Sequence, residues 1–127
     1  MHFKNEAKRL VDVKERLKQS YDDYINTHSC SEGMAISLEC AALMWVMCDL
    51  IKPSKILDLG AGYSSYVLRQ WANTHQANVM TIDTDEYWLN SAKNFCQTNV
   101  GFKMWTEFLQ EPIQKFDFIL YDFGRMV

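Results

Sequence analysis

Positive charge is in short supply: 13 Lys and Arg face 16 Asp and Glu, a net charge of −3. Such a chain has no electrostatic footprint for phosphate backbones, so nucleic acid is not expected as a partner. Proline is scarce, at two residues, and only 23% of residues are charged, which excludes a disordered chain. No signal peptide opens the sequence, because Met1 to Lys18 alternates charged and apolar residues. A long uninterrupted apolar run is missing too. The best candidate, Met34 to Ile51, contains Ser37, Glu39 and Asp49. A carboxylate at mid-span costs about 2.5–3.5 kcal/mol on insertion scales, so a helix buried in a soluble core is expected and a membrane is not.

The four cysteines, Cys30, Cys40, Cys48 and Cys96, form no CxxC pair, and with His2, His28 or His75 they have no zinc-site spacing. No metal is expected from them. Cys40 and Cys48 sit in the apolar run as small hydrophobes do, and free thiols without a framework suggest a cytoplasmic setting. What the chain does have is core material: 48% of residues are apolar and 13% aromatic. Its 127 residues fit a single domain.

Two helices come first. Phe3, Ala7, Leu10, Val11, Leu17, Tyr21, Tyr24 and Ile25 recur at three- and four-residue steps, one apolar stripe beside a solvated face bearing Lys4, Lys8, Lys14, Glu15 and Lys18. "SCSE", Ser29 to Glu32, fits a capping box for a second helix running to about Ile51, before Pro53. Met34, Met44 and Met47 in it read as adaptable core packing.

From residue 53 the pattern alternates. "KILDL" is a strand; Ser64 to His75 is an amphipathic helix with Val67, Leu68 and Trp71 on one face. "NVMTID" is a strand and "DEYWLNSAKNFCQTN" a helix carrying Trp88, Leu89, Ala92, Phe95 and Cys96. "GFKMW" is a third strand, "EFLQEPI" a short turn or helix broken by Pro112, and "FDFILYD" a fourth strand apolar enough to be covered on both faces. This predicts a Rossmann-like α/β fold: a parallel sheet of about four strands, order 3-2-1-4, helices on both faces, with the two N-terminal helices (residues 1–52) packed on it. Trp71, Trp88 and Trp105 are expected in the core.

Ligands of such sheets bind beyond the carboxyl ends of the strands. Those ends carry Asp58 to Gly62, Asp83, Thr106 with Glu107, and Asp122. Each carboxylate taken singly has another reading, as a helix cap or first-turn acid; Asp83 or Asp85 could cap the helix near Glu86. Around one glycine loop the set points to a site. Asp83 follows Gly62 by 21 residues, the separation at which an acid receives two ribose hydroxyls. Gly60 and Gly62 let backbone N–H groups approach a ligand closely.

Asp58 chooses the ligand class. A carboxylate two residues before the first glycine, facing the same mouth, disfavours phosphate and favours an ammonium group. Ser65, where a dinucleotide loop has its third glycine, weakens that reading further. A ligand with ribose hydroxyls, an amino group and no phosphate fits S-adenosylmethionine (SAM). An NAD-dependent Rossmann dehydrogenase is the disfavoured option.

These stretches resemble the class I SAM-dependent methyltransferases. "ILDLGAGYSS" is similar to their first motif, "VMTIDTDE" to the second, "FKMWTE" to the third and "FDFILYDFG" to the fourth; the resemblance covers Ser29 to Gly124. The resemblance implies cofactor contacts from Asp58, Gly60, Ala61, Gly62, Tyr63, Ser64, Asp83, Thr84, Thr106 and Glu107, with Thr84 and either Thr106 or Glu107 near the adenine. Asp122 falls at the active-site end, as general base or metal ligand. Within the family, "SEGMAISLECAALMWVMCDLIKPSKILDLGAGYSS" is similar to small-molecule O-methyltransferases of the catechol type, where the acid matching Asp122 helps hold magnesium. The implied acceptor is a small molecule. The family usually continues for three more strands, bearing the remaining metal ligands, so the chain is expected to be truncated, to pair its fourth-strand edge with another copy or partner, or to be a SAM-binding module without catalysis.

Overall fold

The computed structural model describes residues 3–27 and 35–122. It falls into two compact units, Met1–Lys52 and Pro53–Val127.

The first unit is a helical pair, α1 (Phe3–Thr27) against α2 (Leu38–Ile51). Val13, Leu17, Tyr21 and Tyr24 are buried, at helical steps of four, four and three. Val11, expected on this stripe, is 61% exposed, because it lies two residues, about 200° of helical turn, from Val13. Each fully buried side chain of this size stabilises the fold by about 1.5–3 kcal/mol. At the rim, Arg9 pairs with Asp49, Lys14 with Glu39 at 2.7 Å, and the Arg16 guanidinium lies over the Trp45 ring. The Ser29–Glu32 capping box lies outside the described residues; the cap of α2 is Ser37, whose hydroxyl accepts from Cys40 N at 3.0 Å. At the other end Lys52 adopts a left-handed conformation, φ 53°, immediately before Pro53. Met44 is buried, Met47 is 38% exposed, and Met34 lies outside the described residues.

The second unit alternates β1 (Lys55–Leu59), α3 (Tyr63–His75), β2 (Asn78–Asp83), α4 (Glu86–Cys96), β3 (Phe102–Met104), α5 (Trp105–Phe108) and β4 (Phe118–Tyr121). All pairings are parallel, in the order β3-β2-β1-β4, with helices around the sheet: a Rossmann-like α/β fold. Asp58 pairs with Thr81 and Thr81 with Phe102, so these three share one sheet face. Helices α3 and α4 lie on that face. The hydroxyls of Ser64 and Ser65 in α3 reach Asp58, and Leu89 and Ala92 of α4 cluster with Phe102. Val67, Leu68 and Trp71 form the buried side of α3, and Trp71 stacks on His75. Trp88 and Trp105 are half-buried, and Trp105 opens α5 where the sequence suggested strand.

Strand β4 departs from expectation in its burial. It alternates, with Ile119 58% and Tyr121 64% exposed, because it is the edge strand and is not enclosed on both faces as β1 is. Its start is held by Asp117, whose carboxylate accepts from Ser54 N, Ser54 Oγ and Lys55 N at 2.8–3.1 Å. Those bonds keep the Asp117 carboxyl below the usual carboxylate range.

Candidate functional site

Parallel register sets the site. Leu59 pairs with Ile82 on one side and Tyr121 on the other, so Gly60 follows β1 with Asp83 and Asp122 ending the flanking strands. Asp83 in turn pairs with Met104, beyond which α5 carries Thr106 and Glu107. The carboxyl edge of the sheet therefore lines up Thr106 and Glu107, Asp83 and Thr84, the glycine loop and Asp122. Thr84, Thr106 and Glu107 are exposed there, with the latter two on α5 and not at a strand end.

Gly60 takes φ 120°, a conformation that favours glycine. The amides of the loop each have an internal acceptor: Gly60 N donates to Ile82 O (2.8 Å), Ala61 N to Asp83 Oδ2 (2.8 Å) and Gly62 N to Ser65 Oγ (3.1 Å). Asp83 is 7% exposed, and its other oxygen, Oδ1, accepts from Asp85 N at 2.8 Å. A carboxylate offers about four lone-pair positions, so one amide on each oxygen leaves capacity on both. The cap of α4 is Asp85, accepting from Tyr87 N, which leaves Asp83 to the loop.

Three of the expected contacts, Asp58, Ser64 and Tyr63, are turned away from the open side of the loop. The Asp58 carboxylate does not face the mouth: it is 0% exposed and lies beneath the loop, on the face covered by α3. Ser64 Oγ donates to its Oδ1 at 2.9 Å, while Ser65 Oγ and Thr81 Oγ1 donate to Oδ2 at 2.7 and 2.8 Å. Burial pushes the Asp58 carboxyl up, opposed by Ser65, Thr81, the Arg69 charge and Ser64. Ser64, expected at the ligand, is 1% exposed for the same reason. The Tyr63 ring, 1% exposed, is turned into the core, 5.9 Å from the Tyr66 ring and 6.5 Å from that of Phe95.

Asp122 is half-buried, its amide donating to Leu59 O at 2.6 Å. Its carboxyl is pushed up to about 6, first by burial and then by the charge of Asp58. Among the described residues no group of three or more His, Cys, Asp or Glu side chains could hold a metal ion. The described donors around Asp122 do not fit magnesium, because Asp58 is committed to hydroxyls. The thiol of Cys96 is pushed up to about 11 by burial and stays protonated near neutral pH.

Sequence reasoning missed the polar groups behind the loop. Arg69, on the half-buried flank of α3, bonds Ser65 O, Thr81 Oγ1 and Gly101 O. The signals were Thr81 inside the apolar strand "NVMTID" and the four-residue spacing of Ser65 and Arg69 on one helix face.

No protein family and no curated protein matches the chain. Among solved structures it is similar to the SAH-bound methyltransferase PaMTH1 from Podospora anserina, with a TM-score of 0.59 at 18% identity. The match covers 90% of this chain and 49% of that one, so the chain spans about half the length of that protein. At this identity the likeness is one of fold: a four-stranded parallel sheet with its helices, a Rossmann-like α/β domain.

Proposed function

We propose that the chain is the SAM-binding part of a methyltransferase acting on a small-molecule acceptor, of the catechol O-methyltransferase kind suggested by the stretch from Ser31 to Ser65. One observation carries the reading. Asp83, 21 residues beyond Gly62, ends its strand against Ala61 N with lone pairs left on both carboxylate oxygens, where a ribose diol would lie. The fold likeness to a SAH-bound methyltransferase supports it.

Bound SAM supplies an activated methyl group on its sulfonium. The residues present fit it in part: Asp83 holds the ribose hydroxyls, Thr84 and either Thr106 or Glu107 border the adenine, and Ala61 with its flanking glycines forms the wall between. Asp58, buried below the loop with Arg69 close enough to offset its charge, would act on the amino-acid end only through its field. Asp122 holds the acceptor proton at its carboxylate above about pH 6, the protonation range its burial sets. Holding an acceptor in line with the methyl group is the larger contribution, up to roughly 7–11 kcal/mol in favourable cases.

Isothermal titration with SAM, S-adenosylhomocysteine and NAD tests the reading: the first two bind and NAD does not. NAD binding without SAM binding would refute it. A SAM complex that methylates no hydroxyl-bearing small molecule, at any pH, would leave the binding-module alternative as the function.

A further inference from the structure

Behind the glycine loop runs a chain of hydrogen bonds whose direction can be worked out. Arg69 can only donate, and its Nη1 lies 2.7 Å from Thr81 Oγ1. The Thr81 hydroxyl therefore accepts there and sends its own proton to Asp58 Oδ2, 2.8 Å away. Gly62 N likewise can only donate, to Ser65 Oγ at 3.1 Å, so the Ser65 proton also goes to Asp58 Oδ2, at 2.7 Å. Asp58 is thus a double acceptor at one oxygen, and Ser64 occupies the other. Those donors favour the carboxylate form and oppose the burial that pushes the group up. A buried carboxylate without such partners costs several kcal/mol.

The far end of the chain is anchored as firmly. Nη2 of Arg69 donates to Gly101 O at 2.7 Å and Val100 O at 3.3 Å, the same Nη1 reaches Ser65 O at 3.1 Å, and the guanidinium sits 3.8 Å from the Phe102 ring centroid. Gly101 has φ 77°, and a Cβ there would collide with Val79 O and lie 3.1 Å from Arg69 Nη2. The turn before β3 is therefore shaped to admit this arginine. From that turn the links run Arg69, Thr81, Asp58, Ser65 and finally Gly62 of the loop.

We infer that Arg69 is a positioning residue for the candidate cofactor loop, acting through Thr81 and Asp58; the functional part of this inference rests on the SAM-binding reading. A guanidinium suits the place because two nitrogens of one planar fork donate to the strand hydroxyl and to the turn carbonyl in a fixed geometry, which a single ammonium nitrogen on a flexible stem does not reproduce. Thr81 transmits the effect because its hydroxyl is bonded to both Arg69 and Asp58.

The test uses the full chain with Thr81→Ser, Thr81→Val, Arg69→Lys and Arg69→Met, read by titration with S-adenosylhomocysteine, thermal melting and amide exchange at Gly62. Thr81→Val is expected to weaken binding at least about tenfold, the size of one lost bond to a charged group. Gly62 exchange should rise with it. Thr81→Ser, which keeps the hydroxyl, should bind as the wild type does. Arg69→Lys should fall between wild type and Arg69→Met. Equal affinity in wild type and Thr81→Val, or equal loss in Thr81→Ser and Thr81→Val, would overturn the inference. Should the wild type fail to bind S-adenosylhomocysteine, the SAM reading falls. Gly62 exchange then decides the positioning link by itself, because unchanged exchange in a folded Thr81→Val breaks the chain at its middle.

Discussion

Asp58 and Asp83 are the same residue type at the ends of neighbouring strands, yet they meet opposite surroundings. Asp58 is enclosed by three hydroxyls, whereas Asp83 meets backbone amides at the rim. The sequence shows that both are acidic and both end strands. It does not show which way each side chain turns, because that depends on Thr81 standing beside Asp58 in register and on α3 folding back over it. Asp83→Ala is expected to weaken SAM binding at least about tenfold, as loss of a charged acceptor for two hydroxyls should; an unchanged affinity by titration removes it from the ribose role. For Asp122 the expectation is a pH dependence. Its folded value, about 6, lies above the value near 3.9 of an unfolded chain, so between about pH 4 and pH 6 the folded state binds the extra proton. Its contribution to stability is thus present at low pH and is lost as pH rises through that window. Asp122→Asn should therefore melt higher relative to wild type at about pH 7.5 than at about pH 4.5. The same difference at both values means that burial does not set the ionisation.

Among the elements, those with strong periodicity were legible: β1, β2, α3 and α4 all lie where the alternation of apolar and polar residues places them. The start of α2 was not, since Ser29 and Ser37 are both competent caps and a continuous apolar run has no phase to choose between them. The sequence reads "GFKMW" as strand with Trp105 at its end, but three residues complete the pairing with β2 and the chain turns into α5. The turn before β3 gives the sharpest test at this scale. Gly101→Ala combines a left-handed backbone with a Cβ driven into Val79 O, and should destabilise the fold by about 2 kcal/mol or more. Urea unfolding measures this as a lowered midpoint; a loss under about 0.5 kcal/mol shows that the turn adapts.

For the molecule as a whole, sheet order and parallel pairing were legible because short connections and right-handed crossovers leave few alternatives. The open face of β4 was not, since "FILY" is as apolar as any enclosed strand, yet Ile119 stands exposed on it. Exposed at 58%, Ile119 contributes little to this fold, and Ile113, 101% exposed, contributes less. Ile119→Thr and Ile113→Ser should each leave unfolding free energy within about 0.5 kcal/mol. A larger loss by Ile119→Thr shows that this face is covered in solution.

The internal bonds of the loop bear on ligand choice. With Gly60, Ala61 and Gly62 already donating to Ile82, Asp83 and Ser65, a diphosphate would have to displace a native acceptor at each amide it engaged. A neutral sugar makes no such demand, because its hydroxyls can donate to Asp83 while the amides keep their partners. On the SAM-binding reading, discrimination against dinucleotides would then rest less on the charge of Asp58 than on something more local: a loop whose three amides already have internal acceptors.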